Sequence, residues 1–146
     1  GCEQSMMKDV MLSVRSVQRS EDDAQTIEFE TVGRFGVNNG IILISYEEPN
    51  GMLAAGSKTI VRFMAPETVV IKRTGDQQSR IEVIKGVRNN FFYNTPYGSL
   101  MLGIYGETVA CDINENGGRL GMIYTIDSNL QHISRNEIEI TVRGVQ

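Results

Sequence analysis

The sequence is poor in the side chains that do chemistry near neutral pH. Its 146 residues include one His, two Cys, no Trp and three Pro. One imidazole and two thiols far apart in the chain exclude a zinc finger, a zinc ribbon and a disulfide scaffold. They also leave little for acid–base or thiol catalysis. No basic run is present: 14 Lys and Arg are scattered among 18 Asp and Glu, for a net charge of −4. A nucleic-acid surface needs a basic stripe to displace phosphate counterions. The nearest approach is Lys72, Arg73, Arg80, Lys85 and Arg88, but Glu82 interrupts it and the set reads as a solvated strand face. No nucleic-acid partner is expected. Long apolar runs are missing too. The longest aliphatic stretch, Ile41 to Ile44, falls far short of the roughly 20 residues of a spanning helix, so no membrane span is expected.

What is present is a globular composition, with 40% hydrophobic residues and 15 Gly. A chain this long hides roughly 68–70% of its extended surface on folding, enough for one real core. The expected division is a flexible, largely polar tail over residues 1–7 and a single domain over 8–146. Two readings compete for Gly1-Cys2-Glu3. The preferred one makes Gly1 a residue left by tag removal. The other makes Cys2 the lipid-anchored first residue of a processed lipoprotein, without an upstream apolar segment to support it.

Apolar residues recur with period two between compact turn signals, which predicts an all-β fold. Val10, Leu12 and Val14 share one face. Ile27, Phe29, Thr31, Gly33 and Phe35 share the next, ending in Asn38-Asn39-Gly40, a strong hairpin turn. Further runs follow at 41–48, 59–64, 69–73 and 81–87, then from Phe91 to Tyr97, at Leu100, Leu102, Ile104, and at Val109, Cys111, Ile113. Leu120 to Ile126 and Ile138, Ile140, Val142 complete the set. The long connection from Gly51 to Ser57 holds Met52 to Ala55, a candidate single helical turn. Parallel crossovers need helices that this chain lacks, so the sheet is antiparallel and up-and-down, with nine or ten strands. Gly33, Gly86, Gly103 and Gly121 interrupt strand patterns, where a missing side chain suits bends. That favours a closed barrel over a sandwich.

Several segments together carry a family likeness. They are the Ser-Val-Gln at 16–18, Ile27-Glu28-Phe29 with Thr31 and Gly33, and Tyr46-Glu47-Glu48. Arg73-x-Gly75, Tyr93-x-Thr95-Pro96-Tyr97-Gly98, Gly117-Gly118 leading to Tyr124, and Asn136 follow in order. In this order, over nearly the whole chain, they resemble the YwiB-like family of small bacterial β-barrels. The resemblance implies a calycin-like barrel, related in shape to lipocalins, and a cytoplasmic protein. It implies no activity and no cofactor. Thr95-Pro96-Tyr97-Gly98 also reads by itself as a turn, because Pro fixes φ and Gly accepts a positive one.

Catalytic constellations are poorly represented. His132 follows the Asp127–Asn129 turn, where an exposed His is ordinary, and Cys111 is in phase with Val109 and Ile113, facing the core. A dyad between the two is the weaker reading. Glu47 and Glu48 are adjacent on a strand and point to opposite faces, so they form no carboxylate pair. No metal, nucleophile-elbow or phosphate-loop spacing appears, and a non-enzymatic protein is expected.

Binding remains. Polar residues in phase with core residues would mark a cavity: Tyr46 follows Ile42 and Ile44, Arg73 follows Val69 and Ile71, Tyr124 follows Leu120 and Met122, and Asn136 precedes Ile138. A buried Arg needs a partner, and Glu48 is the candidate. The expected site is a small-molecule pocket at one barrel end lined by Tyr46, Glu48, Arg73, Tyr93, Tyr97 and Tyr124. The alternative is that these residues plug the barrel end or reach solvent, and that the function is protein association. Homodimerisation would then use Val32, Met11, Ile60 and Met64, apolar residues on charged faces.

Overall fold

The computed structural model describes residues 7–144. The N-terminal tail, including Cys2, therefore lies almost wholly outside the described residues. Ten strands follow one another: β1 (Lys8–Arg19), β2 (Ala24–Asn38), β3 (Ile41–Glu47), β4 (Ser57–Met64), β5 (Thr68–Gly75), β6 (Ser79–Ile84), β7 (Arg88–Thr95), β8 (Gly98–Asn114), β9 (Gly117–Ser128) and β10 (Gln131–Gly144). They form a single sheet in the order β6-β5-β4-β3-β2-β1-β10-β9-β8-β7, with every neighbouring pair antiparallel. The meander curls into a nearly closed barrel. The first and last strands pair over most of their length, from Val10 opposite Gly144 to Arg19 opposite Arg135.

The seam falls instead between β6 and β7. These strands are consecutive in sequence, yet only their connecting corner crosses the gap: Gly86 N donates to Gly106 O of β8 at 2.8 Å and Gly106 N donates to Val87 O at 3.3 Å. Beyond that corner β6 is too short to follow β7, so the two edges stand unpaired. Gly106 is needed at this crossing. A Cβ there would lie 2.8 Å from the Ile84 carbonyl carbon and 3.1 Å from Val83 Cγ1.

Apolar runs expected as two, around Leu100–Ile104 and Val109–Ile113, belong to one strand. A bulge between Gly106 and Thr108 inserts Glu107 and changes the inward phase from even to odd positions. A second irregularity, between His132 and Ser134, shifts the register of β10, whose inward positions from Ser134 to Val142 are even. Met52 to Ala55 is not a helical turn. It is a series of linked turns, with Met52 N donating to Pro49 O at 3.3 Å and Ala55 N to Met52 O at 3.1 Å.

The core fills one end of the barrel. Val10, Leu12, Phe35, Leu120 and Val142 are buried where β1 begins and β10 ends. Lys8 closes that end, its Nζ 5.9 Å from the Phe35 ring centre and bonded to Glu115 O at 2.8 Å. The other end is not filled.

Candidate functional site: the open end of the barrel

The unfilled end is a cavity of ≈ 840 Å³ running from the apolar interior to a polar mouth. Val14, Phe29, Ile71 and Ile138 line its walls. Met52–Ala54, Gly75–Ser79 and Phe91–Asn94 form its rim. Two rim segments are tied together: Gln77 N donates to Ser57 Oγ and Gln77 Nε2 to Leu53 O, each at 2.8 Å.

Neighbouring strands set the polar layer. Tyr46 of β3 stands opposite Thr59 of β4, and Thr59 opposite Arg73 of β5. Glu48 follows directly after β3, its N–H held by Ser57 O at 2.9 Å. Adjacent Glu47 is exposed and Glu48 buried, as strand alternation requires. Arg73 Nη2 lies 3.4 Å from Glu48 Oε2, and Arg73 Nε donates to Thr59 Oγ1 at 3.3 Å. The Thr59 hydroxyl donates in turn to the same Glu48 oxygen. This cluster makes the burial of a carboxylate tolerable.

Two phenols complete the layer. Tyr46 packs against Phe29 in a tilted arrangement, ring centres 5.8 Å apart and planes at 60°. Burial and then the Glu48 charge push its pKa up, with Arg73 and Thr59 pulling the other way. Burial pushes Tyr124 up to about 12, partly offset by Arg73. Both therefore stay neutral donors at physiological pH. Asn136 borders the cavity with its Nδ2 donating to Ser134 Oγ at 3.0 Å.

The structure thus brings together Tyr46, Glu48, Arg73 and Tyr124 as anticipated. Tyr93 reaches the rim but is 54% exposed. Tyr97 does not join them. It occupies the tip of the β7–β8 turn, 99% exposed, where its N–H donates to Thr95 Oγ1 at 3.1 Å. The Thr-Pro-Tyr-Gly segment is the turn that its residues suggest. Sequence reasoning missed Thr59, Ser16, Gln18 and Phe91. Thr59 carried the same signal as Arg73, a polar side chain in phase with Val61 and Phe63, but Thr is so common in strands that the signal is faint.

Other chemical candidates fall apart. Cys111 packs against the core, and burial pushes its thiol pKa up. It stands opposite Leu120, whereas His132 stands opposite Asp127, seven residues further along β9 or roughly 23 Å. Cys111 and His132 therefore form no dyad. Among the described residues no three His, Cys, Asp or Glu are grouped to hold a metal ion. The basic residues do not make one surface either: Arg73 faces inward, Lys85 pairs with Glu67 at 3.2 Å and Arg88 with Asp127 at 2.6 Å.

The profile of a protein family described as Domain of unknown function (DUF1934) matches residues 12–140. The chain belongs to this DUF1934 family. A relative, the Uncharacterized beta-barrel protein YwiB of Bacillus subtilis (strain 168), is 25% identical over 135 residues, covering 92% of this chain and 93% of its own. The crystal structure of the ywiB protein from Bacillus subtilis superposes with a TM-score of 0.80 at 24% identity, covering 96% of this chain and 94% of that one. The likeness read from the sequence is thereby established, and the barrel with it. Among the described residues no helix is long and apolar enough to cross a membrane.

Proposed function

We propose that this DUF1934 barrel binds one small organic molecule in its lumen, without catalysing its conversion. The observation that carries the reading is the cavity itself. At ≈ 840 Å³ it falls in the roughly 300–1,000 Å³ range of small-molecule pockets, and it has the usual apolar walls with a few convergent polar groups. A ten-stranded barrel filled by its own side chains would leave no such space. The cytoplasmic location implied by the family likeness belongs to the same proposal, and fractionation of the protein's own cells tests it.

Native mass spectrometry of protein purified gently from its own cells tests the binding. A small-molecule adduct is expected, and Ile71→Trp, which fills the lumen below the polar layer, should remove it. Folded protein without an adduct, or an adduct indifferent to Ile71→Trp, overturns the reading.

One observation favours association as a second reading. The β7–β8 hairpin exposes Phe92 (67%), at the edge of the cavity rim, and Met101 (56%), which stand opposite each other. Of the patch expected from the sequence, Val32 is exposed (53%) but Met11, Ile60 and Met64 are half-buried, so the hairpin is the better candidate. A dimer mass abolished by Phe92→Ser would support that alternative.

A further inference from the structure

We propose that the lumen selects an uncharged amphiphile over an anion of the same shape. This rests on the lumen-binding reading and adds the chemical class of the guest. At first sight Arg73 invites a carboxylate, sulfonate or phosphate. Its charge is already spent: Nη2 is 3.4 Å from Glu48 Oε2 and Nε is given to Thr59 at 3.3 Å. Among the lining residues Arg73 is the single cation, facing two carboxylates, Glu48 in the polar layer and Asp76 on the rim. An anion close enough to bond Arg73 comes within a few ångströms of Glu48 as well. Attraction and repulsion then largely cancel, and the lost hydration of the anion goes uncompensated.

A neutral head avoids that loss and still finds partners. A guanidinium carries five N–H donors, so Arg73 keeps donors free for a carbonyl or hydroxyl oxygen. Glu48 keeps a second oxygen for a donor on the guest. Tyr124 is buried in the cavity wall, and its neutral phenol can donate to or accept from a guest. Below this layer Val14, Phe29, Ile71 and Ile138 offer only apolar contact, which suits a hydrocarbon or aromatic body. The guest is therefore a molecule with an apolar body and a neutral head that both donates and accepts.

A matched pair of fluorescent probes tests this on the full chain at neutral pH. N-phenyl-1-naphthylamine is uncharged, and 8-anilino-1-naphthalenesulfonate is the same ring system with a sulfonate. The uncharged probe should bind at least about tenfold tighter. Glu48→Gln should narrow that gap by strengthening sulfonate binding more than it changes binding of the neutral probe. Asp76→Asn, on the exposed rim and safe for folding, should move it the same way by less. Sulfonate binding equal to or tighter than the neutral probe overturns the inference and leaves the lumen reading standing. A gap untouched by both variants overturns it too, since the carboxylates are then not its cause. If neither probe binds, or Ile71→Trp affects neither, the lumen reading itself fails.

Discussion

Replacing Gly106 with Ala probes the barrel's closure directly. The new Cβ would sit 2.8 Å from the Ile84 carbonyl carbon, closer still to its oxygen, and 3.1 Å from Val83 Cγ1. Two of these three atoms are backbone and cannot rotate away. Relief requires the Ile84–Val87 corner to leave β8, stretching the bonds from Gly86 N to Gly106 O (2.8 Å) and from Gly106 N to Val87 O (3.3 Å). Each backbone bond is worth about 1 kcal/mol net, and overpacking costs about 1–3 kcal/mol. Against this, Gly→Ala recovers about 0.4–1 kcal/mol by restricting the unfolded chain. The expected loss is roughly 2–4 kcal/mol, read as a fall in the urea midpoint at unchanged slope. In a thermal melt it corresponds to a Tm lower by roughly 5–15 °C. Gly121→Ala is the control, because its Cβ would meet only Ile138 O, at 4.0 Å. It should fall within about 0.5 kcal/mol of the wild type. If the two substitutions cost the same, or Gly106→Ala costs less than about 1 kcal/mol, the corner does not hold the barrel shut and the reasoning fails.

Two further outcomes follow from the polar layer. The folded pKa of Tyr124, about 12, exceeds the ordinary tyrosine value of 10.0, so the folded state keeps a proton that the unfolded chain has released. Stability from this group is intact below pH 10 and is lost as pH rises through 12, by roughly 2–3 kcal/mol in all; Tyr46 acts in the same direction. Urea unfolding across that window should show the decline, and Tyr124→Phe should flatten it; an unchanged slope would count against a buried phenol. Arg73→Met leaves Glu48 buried without its cation and should cost about 1–3 kcal/mol, discounted because the Arg73 side chain is 31% exposed. Adding Glu48→Gln should restore most of that loss, and additive costs in the double variant would show that the two side chains are not coupled.

Long strands were legible because period two has time to declare itself. Leu12, Leu120 and Ile140 were placed inward from spacing alone, and all are buried. The method fails where a strand changes phase. In β8 the bulge at Glu107 turns one strand of even positions into odd ones, and a phase change on paper looks like a strand end. Closure was legible only as a tendency. The glycines inside strand patterns suggested a barrel, but the one that meets the seam is Gly106, whose requirement comes from Ile84, a residue 22 positions away in sequence. No local pattern carries a contact of that kind.

The same limit separates the site residues that were found from those that were not. Arg73 and Glu48 stood out because a charged side chain in core phase needs a physical excuse, and the pairing with each other is one. Tyr97 was grouped with the pocket although its segment already read as a turn, and a turn frees its two central residues from the strand's alternation, so nothing local says which way Tyr97 faces. The cavity has a cause at the level of the whole barrel. Ten strands enclose more space than their side chains fill. Leu12, Phe35 and Leu120 close one end, and six-residue β6 stops short of β7 at the other. Gly106 and the polar mouth are thus two consequences of one shortfall. The short strand must be drawn in against β8 where it ends. Where it is missing, Arg73, Glu48 and Tyr124 face a space that only water or a guest can occupy.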